Sequence, residues 1–152
     1  MSTRLWWEVE IIKGITNTKQ IQIGIKRFYK HIPTEHLNQT LEQANNSANA
    51  SNETIGYFLS DDKLTLKEGD IIGVYWDQTD LPMLQFTHNG NLLFGASVNR
   101  VRPSNDMYIA VSLDGQLTNN QGSFRILFDG KQFHHPSIAS KFKMVICSTK
   151  LI

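Results

Sequence analysis

The chain has 152 residues, 40% hydrophobic and 19% charged, with 15 basic against 14 acidic side chains and a formal net charge of +1. That balance is globular; it excludes a disordered or fibrous chain and one drawn to nucleic acid or an anionic membrane by bulk charge. A lone cysteine, Cys147, rules out an internal disulfide and a cysteine-rich zinc site, and no apolar run reaches the ~18 residues of a membrane span.

In chain order, the first strand signal comes at once: Trp7, Val9 and Ile11 alternate with Trp6, Glu8 and Glu10. This start has no secretory character, so the expected location is intracellular, cytoplasmic or nuclear. Glu8 and Glu10 fall on one face of that strand, read as solvated. Ile21, Ile23 and Ile25 then alternate with Gln22 and Gly24. Residues 34–44 break the pattern: Leu37 and Leu41 stand one helical turn apart, which predicts a short helix. Residues 44–54 are polar and low in complexity, an insertion expected to stay disordered in a surface loop. Its matches to the N-glycosylation pattern, with Asn38 just before it, are what such a composition produces by chance.

Strand signals resume after the insertion. Glu68-Gly69-Asp70 is a turn, and Ile71–Trp76 is apolar on both faces, which predicts a central strand covered on both sides. Leu84, Phe86 and His88 alternate with Gln85 and Thr87. Asn89-Gly90 then gives the strongest hairpin signal in the chain, with strand pattern expected to continue to Phe94. Further turns fall at Asp114-Gly115 and Asp129-Gly130; Phe124, Ile126 and Phe128 line one strand face, and Phe142, Met144 and Ile146 predict a C-terminal strand within 141–152. Many short strands separated by turns mean an all-β, antiparallel sandwich or barrel in a single domain, 1–152.

Chemical motifs are sparse. His134-His135, His31 and His36 have no partner cysteines, so no metal site is expected. There is no nucleophile elbow and no phosphate loop, and Cys147 reads as a buried thiol. Paired carboxylates for glycoside chemistry would have to come from Glu8, Glu10, Asp70 or Asp77. Trp6, Trp7 and Trp76 could line a sugar or peptide groove, although packing is the better reading. Lys26, Arg27, Tyr29, Lys30 and His31 mix basic and aromatic groups, which a nucleic-acid binder would also do; overall neutrality argues against one.

Taken in order, Trp6–Ile11, Ile21–Ile25, Ile55–Phe58, Lys67–Val74, Leu84–Gly90, Met107–Leu113, Phe124–Phe128 and Phe133–Pro136 resemble the SPRY domain family. Glu-Gly-Asp-Ile-Ile-Gly-Val and Phe-Thr-His-Asn-Gly are the most specific pieces, and the likeness covers residues 5–136. It implies a bent two-sheet β-sandwich without catalytic activity or cofactor. Such a domain binds a protein or peptide through loops at one end, as a recognition or scaffold subunit of a ubiquitin-ligase-type or regulatory complex. On that reading the site residues are Lys26, Arg27, Tyr29, His31, Tyr57, Arg100, Arg102, Asp114 and Gln116. No nucleic acid, metal or membrane insertion is expected. Two features depart from the family pattern: the missing strand before Trp6 and the Asn-rich insertion. The first leads to the expectation that 141–152 pairs along the vacated edge. The alternative function is a lectin-like, carbohydrate-binding or carbohydrate-active sandwich.

Overall fold

The structure, a computed structural model, describes residues 4–27, 56–79, 82–101, 107–114, 117 and 121–135. These form two antiparallel sheets packed face to face, as the strand pattern predicts. The larger sheet comprises β1 (Arg4–Lys13), β4 (Ile71–Asp77), β5 (Met83–His88), β6 (Asn91–Leu92), β7 (Val98–Asn99) and β9 (Ser123–Leu127). Its order is β6-β5-β4-β1-β9, with β7 also paired to β5. The smaller sheet, in the order β3-β2-β8, comprises β2 (Ile21–Arg27), β3 (Gly56–Phe58) and β8 (Met107–Leu113). Among the described residues no helix is long and apolar enough to cross a membrane. The helix expected over 34–44, the insertion 44–54, Cys147 and the strand expected within 141–152 lie outside the described residues.

Period-two patterning makes the core. Ile21, Ile23 and Ile25 of β2 face Trp7, Val9 and Ile11 of β1, with Val74, Leu84 and Phe86 beside them, all buried. Every residue of β4 is buried, as its two-sided apolar sequence predicts. The other face of the large sheet is covered by the chain leaving β9. Phe133 packs there with Trp6, Tyr75 and Leu127 as a second, smaller cluster. The tight spot on this face is Gly73, where a Cβ would run into the Trp6 ring and Thr87 Oγ1.

The β5–β6 connection is the two-residue turn that its sequence predicts: Asn89 and Gly90 have φ of 48° and 87°, and His88 pairs with Asn91. The strand pattern ends sooner than expected. Phe94 belongs to a 3₁₀ turn, Phe94–Ala96, and is 82% exposed. That turn interrupts the ladder along β5, which β7 resumes at Leu84–Val98.

Two polar networks tie the strand ends. Asp70, which is 2% exposed, accepts from Asn89 Nδ2 at 3.1 Å and from the Lys67 N–H at 3.1 Å, and lies 2.9 Å from His88 Nε2. Asn89 Oδ1 in turn accepts the Ile71 N–H at 2.8 Å. Burial pushes the Asp70 carboxyl up, but the bonds from His88, Asn89 and Lys67 outweigh it and leave the group below its ordinary range. At the far end of β4, Asp77 accepts from the Tyr75 hydroxyl at 2.9 Å and the Thr79 N–H at 2.8 Å, with Arg4 Nε at 3.5 Å. Asp77 is lowered in the same way, against its burial, by Thr79, Tyr75 and Arg4. Burial and the bond to Asp77 push Tyr75 up to about 12.

Candidate functional site

Residues 14–20 join β1 to β2, so Lys13 and Ile21 lie at one end of the sandwich and Arg4 and Arg27 at the other. The second end carries four of the five expected site residues that are described, Lys26, Arg27, Tyr57 and Arg100. Lys26 and Arg27 are not loop residues; they close β2, where Lys26 sits opposite Gly56 on one side and Tyr108 on the other. Lys26 is exposed and Tyr108 is 43% exposed, so a cation and a phenol stand side by side on the outer face of the small sheet. Tyr57 is one residue along β3, opposite Ile25, and its ring points the other way, packed half-buried against the main core. It borders this end from within the sandwich.

Arg100 reaches the same end from the large sheet. Arg4, Asp77, Met83 and Asn99 are successive partners across β1, β4, β5 and β7. Three strand spacings therefore separate Arg4 from Asn99, about 14 Å. Arg100 follows with φ of 59°, a left-handed conformation that turns the exposed side chain off the sheet while Val101 plugs into the core. Among the described residues this end presents Arg4, Lys26, Arg27 and Arg100 against Asp77, which is spanned by Arg4; the turn after β9 adds one of each sign, Asp129 and Lys131.

Asp114 is not part of this group. It follows Leu113, opposite Ile21, at the other end of the seven-residue strand β8, roughly 20 Å from Tyr108. It lines an open cleft of about 330 Å³ with Asn17, Lys19, Gln20 and Leu117. A neighbouring cleft of about 140 Å³ is lined by Asn17, Thr18, Lys19, Asp61 and Asp62. Tyr29, His31, Arg102 and Gln116 lie outside the described residues.

The carboxylates weighed for glycoside chemistry are each tied into the frame. Glu8 corrects the sequence reading: it is not on a solvated face but fully buried. Its two oxygens accept the backbone N–H groups of His134 and His135, at 2.6 and 3.1 Å. The chain after β9 folds back over that face and supplies both donors. Glu10 meets Arg125 at 3.4 Å. Trp6, Trp7 and Trp76 are buried, as the packing reading expects, and offer no surface platform. His134 and His135 lie beyond β9, the last strand among the described residues, rather than on a strand. Among the described residues no three His, Cys, Asp or Glu side chains converge as ligands. Sequence reasoning missed Tyr108; its signal was the alternation in Met107–Leu113, which sets Tyr108, Ala110 and Ser112 on the outer face.

No family model matches this chain, and no curated protein is similar enough to count as a relative.

Proposed function

We propose that this chain is a non-catalytic, SPRY-like protein-interaction module that grips an acidic segment of a protein partner at the Lys26–Tyr108 end of the sandwich. The observation behind this reading is the exposed pairing of Lys26 with Tyr108 on hydrogen-bonded strands, at the end of the sandwich that also carries Arg4, Arg27 and Arg100. The backbone beneath both side chains is held on a sheet, so no loop has to be ordered when a ligand docks. Tyrosine and arginine are enriched in hot spots, and the cations described at this end favour carboxylates and speed encounter. The buried acids Glu8, Asp70 and Asp77 spend their oxygens on structural bonds, as a framework does. In the cell such a module serves as the recognition or scaffold subunit of a larger cytoplasmic or nuclear complex.

The test is affinity capture from the native extract with the wild-type chain, Lys26→Glu and Tyr108→Ala. A partner retained by the wild type and lost by both variants, at unchanged melting temperature, supports the reading. Loss of a central contact of this kind weakens binding about thirtyfold. Full retention by both variants places the site elsewhere.

A further inference from the structure

Among the described residues, β8 is the outer strand of the small sheet and is paired only with β2. The direction of its backbone groups follows from two bonds. The Leu59 N–H donates to the Ile23 carbonyl, so the odd-numbered residues of β2 face β3. The Asp114 N–H donates to the Gln20 carbonyl, so the even-numbered residues of both strands face each other. Met107, Ile109, Val111 and Leu113 therefore aim their N–H and C=O groups away from β2, along the open edge.

Edges of this kind are normally guarded by charge, proline, a bulge or shortness. The other edges here are guarded. β3 has three residues and β6 and β7 two each; β9 carries Arg125, and its pairing with β1 slips between Ile11 and Lys13. β8, Met-Tyr-Ile-Ala-Val-Ser-Leu, has seven residues with no charge and no proline. The apolar core is also incomplete on this side. Ile109, Val111 and Leu113 of β8 stay partly exposed, and so do Phe124 and Ile126 of β9, whereas their neighbours on β2 and β1 are buried. The β8–β9 side is an apolar seam between two sheets, bordered by an unguarded edge.

We propose that the chain forms a two-fold homodimer by antiparallel pairing of β8 with β8 of a second copy, with Ala110 on the dyad. The sequence is self-complementary in that register. Met107 falls opposite Leu113 of the second copy and Ile109 opposite its Val111, so all four outward residues of each strand exchange hydrogen bonds. Inner faces stay on the same side, so the small sheet continues across the dyad. The two seams then meet and bury Phe124 and Ile126 as well as Ile109 and Val111, which a single added strand would not do. Ala110 meets Ala110 at the close, non-hydrogen-bonded spacing, where a small side chain fits. A symmetric interface of this type closes on itself and does not grow into a fibre.

The test is sedimentation equilibrium on the full chain. A dimer is expected for the wild type. Val111→Pro removes an outward N–H to which no described residue is bonded and blocks the partner strand, and is expected to weaken the dimer at least a hundredfold. Should that variant fold poorly, Ala110→Lys and Ala110→Glu probe the same dyad from the solvent face. Each alone sets like charges opposite each other and weakens the dimer about fivefold, and a one-to-one mixture restores association through the opposite-charge pair. A wild-type chain that stays monomeric into the high micromolar range overturns the proposal, as does a dimer indifferent to all these changes. A monomer whose Ile109 and Val111 amides are protected from exchange, with that protection lost on truncation after Ser140, also overturns it and assigns the edge to residues 141–152.

Discussion

Glu8 is the residue whose replacement should cost the fold most for its size. It is fully buried in β1 and receives the His134 and His135 N–H groups on its two carboxylate oxygens. Glu8→Ala removes both acceptors and leaves two part-buried amides of the covering segment without partners. A hydrogen bond to a charged group contributes about 1.5–3 kcal/mol, and an orphaned buried donor costs about as much. Two such bonds give an expected loss of roughly 3–5 kcal/mol, discounted for water entering the space left by the side chain. For a chain of this length that is a drop of roughly 6–20 °C in melting temperature. Glu8→Gln separates charge from shape. It keeps the volume but turns an amide NH₂ toward one of the two N–H donors, so it should cost about 2 kcal/mol, the share of one bond. Urea denaturation reads the stability, and hydrogen exchange reads the His134 and His135 amides directly. In both variants these amides should exchange faster while those of β2 and β8 follow only the global loss. If Glu8→Ala melts within a degree of the parent, or leaves the two amides protected, the clamp is not what holds the segment on the sheet.

Other outcomes follow from the same frame. Gly90→Val places a β-branched residue at φ of 87° against the His135 ring and should destabilise by roughly 1–3 kcal/mol, read by thermal melting. Gly73→Ala drives a methyl group into the Trp6 ring and Thr87 Oγ1 and should cost roughly 1–3 kcal/mol, with a changed near-ultraviolet signal from the displaced indole. Asp70 and Asp77 titrate below their ordinary range when folded. The stability they confer is complete above their unfolded value of about 4 and is lost as pH falls through the lowered folded values, which melting temperatures at descending pH will show. Tyr75 runs the other way: raised to about 12, it favours the fold below the unfolded phenol value of about 10, and that gain is lost between about 10 and 12. Tyr75→Phe should remove the alkaline part of this loss.

Local pattern made the strands legible because the two faces of a strand alternate, and the central place of β4 showed because both its faces are apolar. The Asn89-Gly90 turn was equally local: two positive-φ positions, filled by the two residues that tolerate them best. What could not be read depends on contacts distant in sequence. Glu8 looked solvated because nothing near it says that residues 134 and 135 will cover it. Phe94 looked like a strand residue because alternation does not reveal where a ladder is interrupted. Asp114 seemed to belong with Lys26 because the sequence gives loops but not ends. The seven residues of β8 carry the chain to the opposite end before Asp114 appears. Tyr57 lies at the Lys26 end of the sandwich, but which way its ring faces depends on its register with Ile25.

The residues behind the SPRY resemblance are mostly framework residues here. Glu8 of the Trp-Trp-Glu segment is held by the His134-His135 backbone of the tail segment, so two pieces of the likeness at opposite ends of the chain are one structural clamp. Asp70 of the Glu-Gly-Asp turn is bonded by His88 and Asn89 of the Phe-Thr-His-Asn-Gly segment, which ties the start of β4 to the turn that ends β5. Gly73 admits the Trp6 ring, and Asn89 and Gly90 make the turn. None of these groups lies among the exposed side chains at the Lys26–Tyr108 end. The likeness therefore speaks for how the two sheets are locked together and is silent on what they hold. A ligand has to be read from side chains outside the resemblance's most specific pieces, Lys26, Arg100 and the outer face of β8. These are positions that the locked frame leaves free to vary without loss of fold.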